Sequence, residues 1–242
     1  ATPSIALERC HAVARDMAGA AVLALKEGLA ALEAYTPALA ESVREKEERT
    51  DRYEDILGTY LVRLSAHQIG PGDSAEAAKL LKVIGDFERI ADHGVNLLES
   101  AEEFRSKGMA LTAEAKKEYK TLSAAVGEIL DLALQAFLEN DLEAAGCVEP
   151  LEQVIDSLKE TLRTNHIRRL QQGTCSIDAG FVWSDILTNL ERASDHCSNI
   201  AGCVIDIAHH NMNIHASLRD ARNDSQLFRD KFIRYKEKYA QD

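Results

Sequence analysis

The sequence predicts an all-α fold of two tandem three-helix bundles, six long helices in total, followed by a short C-terminal helix. Three observations predict it. Only 13 Gly and 4 Pro interrupt 242 residues, and the chain is rich in Ala, Leu and Glu, which favour helix. No segment keeps a period-2 alternation of β-branched residues, so no sheet is expected. The second half also repeats the first: residues 86–97 read DFERIADHGVNL and residues 189–200 read NLERASDHCSNI, an offset of 103. The first repeat is placed at residues 1–108, and the second, with the C-terminal helix, at 109–242.

Each element has local signals. The first helix begins near Ser4, which can cap it, and ends at Tyr35-Thr36-Pro37. The second ends before Gly70-Pro71-Gly72-Asp73-Ser74, where Asp73 or Ser74 can cap the third. That third helix carries Leu80, Leu81, Ile84, Phe87, Ile90, Ala91, Leu97 and Leu98 at spacings of three and four, a buried stripe. Lys107-Gly108 breaks the chain and Thr112 caps the fourth helix. Asn140-Asp141 turns into the fifth segment, where Pro150 marks either a helix start or a kink. Gln172-Gly173-Thr174 precedes the sixth helix. A polar stretch from Asn211 to Asp224 then separates it from a short helix around Ser225 to Tyr239. Helices of about 25 to 30 residues joined by short loops pack as antiparallel bundles.

Charge narrows the function. Forty acids against 28 Lys and Arg leave a net charge of −12, which argues against a nucleic-acid partner or adsorption to an anionic membrane. Five cysteines form no Cys-x-x-Cys pair and read as idle thiols in a reducing compartment. The best apolar run, Met17 to Leu25, stops at Lys26 and Glu27, short of the ~18 residues that a membrane span requires. No signal peptide is evident. The chain starts at Ala1 rather than Met, which fits a segment preceded by further sequence.

The repeat carries the chemistry. Glu88, Arg89, Asp92, His93 and Asn96 match Glu191, Arg192, Asp195, His196 and Asn199. Glu47 and Asp51 match Glu152 and Asp156, at an offset of 105. Residues four apart share a helix face, so each repeat holds two Glu-x-x-x-Asp pairs that converge if its second and third helices are antiparallel. Converging carboxylates repel unless a cation sits among them, which predicts one cation site per repeat. Oxygen-only donors suit Mg²⁺, Ca²⁺, Mn²⁺ or ferric iron better than zinc or copper. Asp55, Asn96, Glu160 and Asn199 extend the stripes as further or supporting ligands. The bland alternative is a solvated face whose acids pair with Arg44, Arg49, Arg89 or Arg192. His93 and His196, about 100° around the helix from the aspartates, read as packing or hydrogen-bonding groups. A ferritin-like carboxylate enzyme would need Glu-x-x-His, and Ala91 and Ser194 occupy those positions instead. Nucleophilic triads and phosphate-cradling glycine loops are absent, so no catalytic residue is assigned. A purely structural helical adaptor is the remaining reading.

Glu88-Arg89-Ile90-Ala91-Asp92-His93 and Glu191-Arg192-Ala193-Ser194-Asp195-His196, set in a tandem three-helix repeat, resemble the PhoU family over nearly the whole chain. The resemblance implies multinuclear iron clusters, with magnesium, manganese, calcium and zinc left open. By position the ligands are Glu47, Asp51, Glu88 and Asp92, then Glu152, Asp156, Glu191 and Asp195. It also implies a non-enzymatic negative regulator of phosphate uptake, acting through phosphate transporters and their sensor kinase. The stand-alone regulators join their second and third helices through a Pro-containing segment leading into Asp-Leu-Arg; here that link is Ile69-Gly70-Pro71-Gly72-Asp73-Ser74-Ala75. This link, the opening Thr2 to Leu7 and the segment Cys175 to Cys203 look more like the PhoU-like domain appended to bacterial sodium/phosphate cotransporters. The expectation is therefore a cytoplasmic domain at the inner face of the plasma membrane, tethered by a transporter portion outside this chain. It would not insert into the membrane itself, and homo-oligomers are allowed. The alternative is a stand-alone PhoU-type regulator working with other phosphate-transport components.

Overall fold

Three of the four prolines open helices. Pro3, Pro37 and Pro71 each stand in a first turn, where the missing N–H has no intrahelical partner to lose. The computed structural model describes residues 2–67, 69–210 and 214–241. Among them lie α1 (Pro3–Glu33), α2 (Pro37–Ser65), α3 (Pro71–Ser106), α4 (Ala113–Glu139), α5 (Leu142–Gln171), α6 (Ile177–His210) and α7 (Ile214–Lys238), with no strand.

The expected cap at Thr112 forms, and Thr36 and Asp141, expected only as turn residues, cap α2 and α5 as well. Thr36 Oγ1 accepts from Leu39 N and Thr112 Oγ1 from Ala115 N, each at 3.1 Å. Asp141 Oδ1 accepts from Glu143 N and Ala144 N at 3.0 Å, after Asn140 turns the chain at φ 51°. Ser4 does not cap α1, nor Asp73 or Ser74 α3. Pro3 and Pro71 start those helices earlier and leave Thr2 and Gly70 at the caps, without side-chain bonds. The fourth proline, Pro150, lies inside α5, which already runs from Leu142. The last helix begins well before Ser225 because residues 214–224 hold no Gly or Pro to stop it; polarity alone does not end a helix. Residues 211–213 of the expected polar stretch lie outside the described residues.

Within the first repeat α1 and α3 run parallel and α2 returns between them. His11 meets Glu76 at 2.7 Å near one end, and Tyr35 donates to Glu102 at the other. The α1–α3 approach is closest at Gly28 and Gly94, where a Cβ on Gly94 would lie 2.7 Å from the Ala24 carbonyl oxygen. One hydrophobic core joins both repeats, from Leu25 and Ile90 through Val126 and Ile129 to Ile155 and Trp183. Phe87 of α3 and Phe137 of α4 meet with ring centroids 5.1 Å apart. The break at Gly108 thus divides the topology and leaves the core whole. α4 is long and apolar enough to cross a membrane by length and composition, although charged residues keep it from forming an unbroken apolar run. Its Leu122, Val126, Ile129 and Leu130 are fully buried in the core. All five cysteines are free, and four of them are buried.

Candidate functional site

Two outer helix pairs, α2 with α3 and α5 with α6, carry the duplicated acids. In the first repeat Glu47 feels Asp92 and Asp51, and burial followed by these charges raises its carboxyl above the usual range. Glu88 is pushed up to about 7, first by burial and then by Asp92, with which it shares a hydrogen bond; Glu54 adds to the rise. Arg89 opposes it from outside, 3.5 Å from Glu88 and 3.2 Å from Asp92, with its side chain 63% exposed. A cation so exposed screens the pair only weakly.

In the second repeat the strain falls on a different residue. Glu152 is pushed up to about 7 by burial, by Glu149 and by Asp195, its hydrogen-bond partner. Asp195 is raised too, by burial and then by Glu191. Glu191 itself is held by the Lys159 ammonium at 2.9 Å. Each repeat therefore holds two carboxyl groups in direct contact, and such a contact needs a proton or a metal cation between them.

The structure brings seven of the eight expected ligands into the shared electrostatic environments of Glu47, Glu88 and Glu152: Glu47, Asp51, Glu88 and Asp92 in one repeat, and Glu152, Asp156 and Asp195 in the other. Two acids missed from the sequence join them, Glu54 and Glu149. The signal was there, since 47, 51 and 54, and 149, 152 and 156, each keep to one helix face. The expected extensions Asp55 and Glu160 are exposed, and Glu160 pairs with Arg163 at 3.4 Å. Among the described residues no three His, Cys, Asp or Glu side chains stand together in an arrangement that could hold a metal ion. The all-oxygen donor set suits a hard cation, and the carboxylates that would serve it meet in pairs.

Asn96 and Asn199 are drawn away from the stripes into the interface between repeats. Asn189 Oδ1 accepts from His93 Nδ1 at 2.8 Å and from Asn96 Nδ2 at 2.9 Å. Asp86 Oδ1 accepts from His196 Nδ1 at 2.9 Å and from Asn199 Nδ2 at 3.2 Å. The two histidine rings lie 5.6 Å apart between these clusters. Both histidines therefore hydrogen-bond, as their angle to the aspartates implied. Burial lowers the pKa of His93, which favours the neutral ring.

Fold and acid faces together define a class: tandem three-helix bundles joined face to face, with paired carboxylates along each outer helix pair. The PhoU domain matches the chain twice, over residues 14–101 and 119–204, and the chain belongs to the PhoU family. It is 29% identical over 128 residues to the "Phosphate-specific transport system accessory protein PhoU homolog 1" of Thermotoga maritima, a match spanning 53% of this chain and 54% of that relative. The crystal structure of PhoU from Pseudomonas aeruginosa superposes with a TM-score of 0.69 at 22% identity, covering 86% of this chain and 96% of that one. The phosphate transport system regulatory protein PhoU from Streptococcus pneumoniae gives 0.72 at 17% identity, over 86% and 97%. At those identities the structures establish the shared fold.

Proposed function

We propose that this chain is a non-enzymatic accessory regulator that restrains phosphate uptake from the cytoplasm by contact with phosphate-transport components. The carrying observation is the family match over both repeats, together with a relative named as an accessory protein of a phosphate-specific transport system. The names of the relatives favour the stand-alone regulator over the tail of a sodium/phosphate cotransporter: the Thermotoga maritima relative is named an accessory protein of a transport system, and the Streptococcus pneumoniae one a regulatory protein.

The acid faces are the second part of the proposal. Glu47, Asp51, Glu88 and Asp92 on one face, and Glu152, Asp156 and Asp195 on the other, hold multivalent cations, iron among them. Such a cation supplies the positive charge that lets these carboxylates lie side by side without a shared proton. The surrounding residues fix the faces: His93 and His196 lock α3 to α6, so both stripes keep a constant relation. A carboxylate enzyme is disfavoured, because both motif histidines are engaged at that interface.

Two experiments test the proposal. Phosphate uptake is compared in cells with and without the protein at high external phosphate; deletion should raise uptake, and unchanged uptake would remove the regulatory role. Elemental analysis of protein purified without chelator is run beside an Asp92→Ala/Asp195→Ala variant. The wild type should retain metal and the variant lose most of it; equal retention rejects the cation faces.

A further inference from the structure

The last helix covers a face that only the second repeat offers. The family match ends at residue 204, and α7 lies beyond it. Its inward stripe is Phe228, Phe232, Tyr235 and Tyr239, spaced four, three and four apart. Both tyrosines are buried and both phenylalanines half-buried. α7 packs on α5, where Tyr235 shares a hydrogen bond with the Cys147 thiol. At its last turn it reaches α4: Lys238 Nζ lies 2.8 Å from Glu128 Oε2, to which the Tyr239 hydroxyl also donates. Cys147, Leu151 and Val154 follow one stripe of α5, and all three are buried. At the 105-residue offset α2 has Ser42, Lys46 and Arg49 instead, and α1 has Leu23 in place of Glu128. Lys46 pairs with Glu27 of α1 at 3.0 Å, and Arg49 is exposed. The first repeat thus keeps a polar face where the second has an apolar one.

We propose that the α4–α5 face is a helix-binding groove with α7 as its releasable, tethered ligand. Once α7 leaves, the groove takes a partner's basic amphipathic helix with aromatic residues at the same spacing. α7 itself defines that chemistry: it carries seven Lys and Arg against four acids, in a chain whose net charge is −12. Anchors at three- and four-residue spacing are how an amphipathic helix seats in an apolar groove. Glu128 sets the register by receiving a lysine and a tyrosine hydroxyl together. Release follows from how little else holds α7. Its packing is against α5 alone, apart from the bonds to Glu128. The Lys238 side chain is 55% exposed, so its ion pair adds little. An element packed on one neighbour opens at lower free energy than the core helices. When α7 opens, the Cys147 end of the α5 stripe loses its cover, and a helix of the same kind would restore it. The inference is independent of the cation reading and of the role in phosphate uptake.

Two measurements on the full chain test this. Thiol labelling of the wild type, read for each cysteine by mass spectrometry, should modify Cys147 about tenfold faster than the core residue Cys197. Lys238→Gln/Tyr239→Phe removes both bonds to Glu128 and should speed Cys147 about fivefold more, with Cys197 unchanged. A fluorescent peptide of residues 225–242 is the probe for the groove. It should bind the Tyr235→Ser/Tyr239→Ser chain about tenfold or more tightly than the wild type, where tethered α7 competes at high effective concentration. Adding Glu128→Lys to that chain should abolish the binding. Circular dichroism checks that each variant folds, and the wild-type labelling needs no variant. Equal labelling rates for Cys147 and Cys197 would overturn the release of α7. A folded Tyr235→Ser/Tyr239→Ser chain that binds the peptide no better than the wild type would overturn the groove. Wild-type dimers in sedimentation that Tyr235→Ser/Tyr239→Ser abolishes would assign the groove to a second copy's α7 and overturn the partner helix.

Discussion

Asp86 and Asn189 occupy the same position in the two repeats, and each accepts the hydrogen bond of the other repeat's histidine, at 2.9 and 2.8 Å. The pairing is reciprocal, so α3 and α6 cross antiparallel about a pseudo-two-fold axis that passes between His93 and His196. Asn189 Nδ2 donates to the Asp185 carbonyl at 2.9 Å. That bond turns Oδ1 toward His93 and requires the proton on His93 Nδ1. One member is a carboxylate and the other an amide, yet both do the same work through a single Oδ1 atom.

Removing that acceptor should therefore matter more than changing its charge. Asn189→Leu strands the buried His93 N–H and should cost about 1–3 kcal/mol in urea unfolding. Asp86→Asn keeps an Oδ1 for His196 and Asn199, and copies the arrangement already present in the other repeat. It should stay within about 1 kcal/mol of the wild type. A large loss from Asp86→Asn would show that its charge, rather than its oxygen, holds the repeats together.

The acid pairs should leave a signature in the metal-free protein. An unfolded glutamate releases its proton near 4.5, whereas Glu88 and Glu152 hold theirs to about 7. Across that window the folded chain binds more protons, so these groups make stability fall as pH rises from about 4.5 to about 7. His93 acts in the opposite sense: its lowered pKa removes stability as pH falls below 6.5. The Glu88→Gln/Glu152→Gln variant isolates the acids. With chelator present it should gain on the wild type between pH 5 and pH 8, by a modest amount because both sites are partly exposed. Added Mn²⁺ should close the gap by stabilising the wild type. A pH-independent difference would mean that the pairs are not strained.

What was legible in the sequence was local or repeated. Prolines, threonine caps and Asn140 act within a few residues of themselves, so six helices could be placed from them. The acid pairs stood out because the same residues recur at a fixed offset. The choice between Glu54 and Asp55 was not legible, since both lie near the acid face on a helical wheel and only the approach of α3 separates them. Nor was the role of Lys159, whose stem is buried under α6 although a lysine between Leu158 and Glu160 reads as solvated. The partners of His93 and His196 depend on which faces of two distant helices meet. Period and spacing within one helix do not contain that information.

Close helix approach gives a sharper stability contrast within a single element. A Cβ on Gly94 would meet the Ala24 backbone at 2.7 and 2.8 Å, and backbone cannot rotate away. Gly94→Ala must push α1 and α3 apart and loosen the core between them, with an expected loss of about 1–3 kcal/mol. On the same helix, nothing lies within 4 Å of a Cβ on Gly85. Gly85→Ala should gain up to about 1 kcal/mol from helix propensity. Thermal or urea unfolding of both variants checks the pair of signs. A neutral Gly94→Ala would mean that the α1–α3 contact is slack.

A buried ion pair closes the far end of the second repeat and has no equally buried counterpart among the described residues of the first. Arg169 of α5 and Glu118 of α4 are 4% and 6% exposed, and two hydrogen bonds of 3.0 and 2.9 Å join them. Asn165 Nδ2 adds a third bond to Glu118 Oε1 at 2.8 Å. Burial removes both charges from water, so the pair need not add net stability, but either partner left alone is strongly unfavourable. Arg169→Met should cost about 3–5 kcal/mol because Glu118 keeps only the Asn165 amide. The double variant Glu118→Leu/Arg169→Met should recover most of that loss, since two apolar side chains of similar size can fill the same space. Urea unfolding of the two singles and the double completes the cycle. A single-variant loss below about 1 kcal/mol would show that water reaches the pair and that it behaves as a surface bridge.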